Sequence, residues 1–168
     1  MNEGTRGLWK VRALLFGDNV GTALRSLQFN MTNAQAKSFR ATPVTIVAAQ
    51  GAGKLIVPIA CTISLVYGGT NAFVQGGAGD NFSLKLKDGS GAVLMSGGIG
   101  AFTQNTTSAF SVMVPGLAAG SSSNITKANG DNQPLVVHNQ AAAELTGNAA
   151  ADNTFVLNLI YTIIPSNV

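Results

Sequence analysis

Charge is scarce in this sequence. Lysine, arginine, aspartate and glutamate make up 10% of its 168 residues, where an average soluble domain carries about 25%. A monomer relies on surface charge for solubility, so the shortage points to a subunit that covers its faces against neighbours. The alternative is an exterior built from Asn, Ser, Thr and Gly. Cysteine is nearly absent too: Cys61 stands alone, which excludes an internal disulfide. Between Ala60 and Thr62 in an apolar strand, it reads as a buried, reduced thiol. One histidine, His138, together with one cysteine cannot make a four-ligand zinc site. No run approaches 18 uninterrupted apolar residues, and the charges of the Met1–Arg6 start are followed by no apolar h-region. The expectation is a soluble protein made in the cytoplasm, with no membrane partner.

What is present suits one folded domain. Hydrophobic residues reach 46%, enough for a core and too many for a disordered chain. The basic residues are uneven: Arg6, Lys10, Arg12, Arg25, Lys37 and Arg40 crowd the first forty positions against Glu3 and Asp18. An apolar cluster, Leu8, Trp9, Val11, Leu14, Leu15 and Phe16, is threaded with Lys10 and Arg12 and ends at Gly17-Asp18-Asn19. Residues 1–42 therefore read as an arm that attaches the chain to an acidic protein surface, with Trp9, Lys10, Arg12, Leu14, Leu15, Phe16 and Arg25 as its contact residues. The other reading is an added edge strand. Six cations spread over forty residues make a weak case for nucleic acid. A short helix over residues 33–39 is expected inside this segment.

From Pro43 onward the pattern is β, so the domain is expected over residues 43–168. Val44–Val47 is a β-branched run ending at Gln50-Gly51-Ala52-Gly53. Ile59, Cys61, Ile63, Leu65 and Tyr67 then alternate with Ala60, Thr62, Ser64 and Val66. Pro58 has no amide donor, which places an edge or a bulge at the start of that strand. Phe82, Leu84 and Leu86 alternate with Ser83, Lys85 and Lys87, the pattern of a strand with one wet face. Asp88-Gly89 suits a type I′ hairpin turn, returning along 92–95. Phe110, Val112 and Val114 mark a strand, as do residues 134–138. In the last strand, 155–164, both alternating sets are largely apolar, which predicts a central strand covered on both sides. Ile63, Leu65, Phe82, Leu84, Leu157, Leu159 and Tyr161 are the expected core. About seven or eight short strands with Gly-rich turns predict an all-β, antiparallel β-sandwich, jelly-roll-like, with almost no helix.

Chemistry is hard to assemble from these residues, and no catalytic, metal or cofactor site is expected. His138 with Asp131 or Asp152 and a serine is the one conceivable triad, and no nucleophile-elbow motif surrounds any serine. Asp80-Asn81 and Asp131-Asn132 match no calcium loop. Gly51-Ala52-Gly53-Lys54 superficially suggests a phosphate-binding loop. Ala48 stands where that motif needs its first Gly, and Leu55 where it needs Ser or Thr. It reads as a turn.

The stretch Val44 to Pro58, with its strand, Gln-Gly-Ala-Gly-Lys turn and long apolar strand, resembles small virion proteins of tailed bacteriophages. Asn132 to Asn139 and Phe155 to Tyr161 resemble the closing strands of that group. The resemblance spans roughly residues 43–164 and implies a sandwich that decorates or cements a capsid, the alternative being a tail, neck or fibre component. It implies no catalytic residues. The partners it implies are the major capsid protein or another virion protein, and the place is the virion, after synthesis in the host bacterium. Homo-oligomerisation is expected from the low charge together with apolar residues on both faces of several strands, a trimer on a capsid being favoured and a ring elsewhere on the particle the other form. A carbohydrate-binding sandwich is a further alternative, but one Trp and two Tyr, all within apolar runs, offer little for stacking on sugars.

Overall fold

A computed structural model describes residues 23–77, 81–98, 100–115 and 125–166. Ten strands run through them: β1 (Arg25–Met31), β2 (Val44–Val47), β3 (Lys54–Val66), β4 (Phe73–Val74), β5 (Asn81–Leu86), β6 (Val93–Gly98), β7 (Ala109–Pro115), β8 (Leu135–Asn139), β9 (Thr146–Gly147) and β10 (Thr154–Pro165). Three single-turn helices join them, α1 (Asn33–Ala36), α2 (Gly100–Thr103) and α3 (Lys127–Gly130). Eight strands are linked in the order β1-β10-β3-β7-β6-β5-β8-β2, every pair antiparallel. β4 and β9 form a separate two-stranded ladder.

The eight strands act as two sheets because β7 belongs to both. Ala109 to Met113 pair with β3, and the next two residues, Val114 and Pro115, pair with β6. The β1-β10-β3-β7 sheet thus folds over the β6-β5-β8-β2 sheet, and their inner faces meet. Phe82 on β5 packs edge-on against Phe155 on β10, ring centroids 5.1 Å apart. Phe39, Phe73 and Phe102 complete the aromatic centre. The expected antiparallel sandwich is the observed fold. Ile63, Leu65, Phe82, Leu84, Leu157 and Leu159 are buried in its core, with Tyr161 half-buried against it.

Several local expectations are corrected. β3 starts earlier than its alternation suggested, at Lys54, and carries a bulge. Tyr161 pairs with Pro58 and Ile160 with Ala60, leaving Ile59 without a partner. The buried set changes phase there, from Ile56 and Pro58 to Cys61, Ile63 and Leu65, so Ile59 is exposed where alternation put it on the same face as Cys61. A bulge is where a strand tolerates proline, as the missing amide of Pro58 implied. β10 is central in its pairing, between β1 and β3, yet only one face is covered: Asn158 and Ile160 are exposed. β5, expected to have a wet face, is buried on both. Ser83 donates to the His138 carbonyl at 3.1 Å, and the Lys85 ammonium donates to the Gly89 carbonyl at 2.6 Å. The turn after β5 folds back over that face. It is not the expected I′ turn: positive φ falls at Lys87 (φ 74), and the Asp88 carboxylate accepts from the Ser90 amide at 2.8 Å. Gly91 is obligatory, since a Cβ there would overlap the Leu86 carbonyl.

The sandwich also begins before residue 43. β1 pairs with β10 over its whole length, from Arg25 opposite Tyr161 to Met31 opposite Phe155. Thr32 caps α1 in a reciprocal capping box with Gln35. Phe39 then enters the core, 4.8 Å from Phe82. The described part of the expected arm is thus an edge strand and a core-anchored turn, the alternative reading of that segment.

Candidate interaction surface

The outer face of the β1-β10-β3-β7 sheet is set by register. Side chains alternate across a strand, so the residues between the core positions of four neighbouring strands share one surface. Asn30, Val156, Ser64 and Phe110 form one row across it. Gln28, Asn158, Thr62 and Val112 form the next, and Ser26, Ile160 and Ala60 the third. None of these residues is charged. Phe110 is 74% exposed and Val112 59%, the most open large apolar residues of the face; Ile59, Ile160 and Val66 follow at 43–44%. The amides knit together where they meet, Gln28 donating to Asn158 at 3.0 Å. Between β1, β10, β3 and β7 the face sinks into an open depression of about 360 Å³, whose lining includes Gln28, Ala60, Thr62, Val112 and Ile160.

Of the contact residues proposed for the arm, Arg25 is described. It is exposed at the start of β1, by a shallow hollow that Gln50, Lys54 and Ile164 also line. Trp9, Lys10, Arg12, Leu14, Leu15 and Phe16 lie outside the described residues.

Titratable groups are dispersed or committed to structure. Asp131 clamps the Gly51–Lys54 turn: its Oδ1 accepts from the Gly53 and Lys54 amides at 2.6 and 3.0 Å, and Asn132 accepts from the Gly51 amide at 2.7 Å. The amides that a phosphate would need are thus occupied by the chain's own side chains. The ammonium of Lys127, 2.9 Å from Asp131, holds that carboxyl below its usual range. Asp152 is lowered likewise, by hydrogen bonds from Asn148 and Thr70. Neither Asp131 nor Asp152 is hydrogen-bonded to His138, so the conceivable triad does not form. Burial lowers His138, and the charge of Lys85 adds to it; its Nδ1 is buried with no hydrogen-bond partner. Burial pushes the Cys61 thiol up to about 12, which keeps it protonated and unreactive. Among the described residues, no three His, Cys, Asp or Glu side chains come together as a metal site, and no helix is long and apolar enough to cross a membrane.

Sequence reasoning missed a buried asparagine network. Asn33 donates to Asn148 Oδ1 at 2.6 Å and to the Asn153 carbonyl at 3.0 Å. Asn148 and Asn153 both donate to the Asn71 carbonyl, and Asn153 accepts from the Gly68 amide at 2.8 Å. The side-chain amides of Asn33, Asn148 and Asn153 all donate within the network, which fastens α1 and the loops after β3 and β9 to one another. Its role is structural.

No protein-family model matches this chain, and no curated protein does. Among solved structures it is similar to "Capsid of Ralstonia phage GP4", at 12% identity over 86% of each chain with a TM-score of 0.40. At that identity and score, the likeness carries no argument about function.

Proposed function

We propose that the chain is a non-enzymatic structural subunit of a bacteriophage particle, which binds and stabilises the capsid as a decoration or cement protein and assembles with copies of itself. The observation that carries this reading is the charge-free outer sheet face with Phe110 and Val112 standing in solvent. Exposed apolar surface on a folded domain marks contact with another macromolecule. The sequence resemblance to small virion proteins supplies the setting. The dispersal of titratable groups among the described residues favours packing over catalysis. The basic, apolar segment around Trp9 and Arg12 is the second element of attachment, steering by charge and then burying its Leu, Trp and Phe residues.

Density-gradient purification of particles carrying an epitope-tagged copy tests this. The tag should co-sediment with intact particles, in stoichiometric amount, and label their outer surface under immunogold. Recovery of the tag only in the soluble fraction of the lysate would refute the reading. Labelling confined to the tail or neck would replace the capsid with the alternative site.

A further inference from the structure

We infer that the outer face of the β1-β10-β3-β7 sheet is the contact between two copies of this chain, which meet face to face about a two-fold axis. The inference rests on the proposed structural role and names the partner of that face.

Chemistry selects the occupant. An acidic or basic partner would find no counter-charge in the three rows of this face, and would bury its own charge unpaired. The chain's own residues 8–16 carry Lys10 and Arg12 among their apolar side chains and meet the same penalty. A second copy does not. Amides such as Asn30 and Gln28 both donate and accept, so they can pair with themselves. Phe110 and Val112 on one copy can cover the same residues on the other, as an isologous interface requires.

Size sets the strength. Four strands about 4.8 Å apart and three rows about 6.8 Å apart give a patch of roughly 400 Å² before side-chain relief is counted. Val66, Ile59 and that relief raise it toward about 600 Å² per partner, the lower limit for specific association. The pair is therefore reversible, a dimer in place of the trimer expected from composition.

Sedimentation velocity of the full chain across a concentration series tests this, with circular dichroism and melting as checks on the fold. The wild type should shift from monomer to dimer with rising concentration. Val112→Lys and Val112→Asp should each weaken association at least tenfold, and mixing the two should restore it, because only a second copy brings opposite charges to the same place. Phe110→Ser, on a ring that is 74% exposed, gives an independent weakening. A wild type monomeric at every concentration would overturn the inference, as would association that both Val112 variants retain. So would association lost on removing residues 1–22 but kept in Val112→Lys, which would make the N-terminal segment the occupant. Particle co-sedimentation of a chain monomeric in solution would leave the structural role standing while this interface falls.

Discussion

The outer face of the β6-β5-β8-β2 sheet is covered at its centre by the turn after β5, and among the described residues the outer face of the β1-β10-β3-β7 sheet has no such cover. On the first, the turn after β5 lies against β8, with Gly89 packed between the His138 ring and Pro43, and Ser83, Lys85 and Val136 are buried beneath. The chain even buries a cation there, with the Gly89 carbonyl as the partner of Lys85. On the second, Phe110 and Ile160 stand in water. Both strand sets are similarly apolar in sequence. One face is thus covered in part by the subunit itself, and the other is the face proposed for contact with a neighbour.

Four measurements can break or sharpen this contrast. The largest effect should come from the shared core: Phe155→Ala removes the ring that Phe73, Phe82 and Phe102 surround and should cost about 3–5 kcal/mol in denaturant unfolding. Next, Asn148→Ala strips the buried network of a side chain that donates to Asn71 and Asp152. The unsatisfied groups left behind should cost about 1–3 kcal/mol, read from the same titration. Third, the covered face should be acid-sensitive. Folding lowers His138 below its ordinary value of 6.5, so the unfolded chain binds its proton first. The stability this contributes is full above that value and is lost as pH falls through the folded one. Melting temperature should fall as pH drops below about 6.5, and His138→Gln should flatten that slope. The fall below about pH 4 belongs to Asp88, Asp131 and Asp152, whose lowered carboxyls act in the same direction. Smallest of all, Phe110→Ser should change monomer stability by no more than about 0.5 kcal/mol. A larger loss would show that the exposed face is part of the monomer's own packing.

Much of the fold was legible because strand alternation is a local signal. Ile63, Leu65, Leu157 and Leu159 could be read as core from period two alone. What failed was everything decided by non-local covering. Nothing in Phe82 to Lys87 shows that a turn will fold over Ser83 and Lys85. Val156, Ile160, Phe110 and Val112 are apolar whether a neighbouring layer covers them or solvent does, so β10 was read as covered on both faces. β1 was only the second reading of its segment: Ser26 to Met31 alternates polar residues with Leu27, Phe29 and Met31, but the basic residues crowded around it pointed to an arm first. The asparagine network was invisible for another reason. Asn33, Asn71, Asn148 and Asn153 are far apart in sequence, and each alone looks like an ordinary loop residue. The candidate surface was legible only as a shortage of charge; its position needed the register.

β7 gives the proposed contact a mechanical property. Phe110 and Val112, which a neighbour would grip, lie on a backbone that is bonded to β3 and, two residues later, to β6. Tension applied at that grip would not peel away a free strand. It would be divided between two sheets that share one continuous segment, and both would have to shear before the subunit opened. A neighbour pulling on the proposed contact would load the subunit in that way.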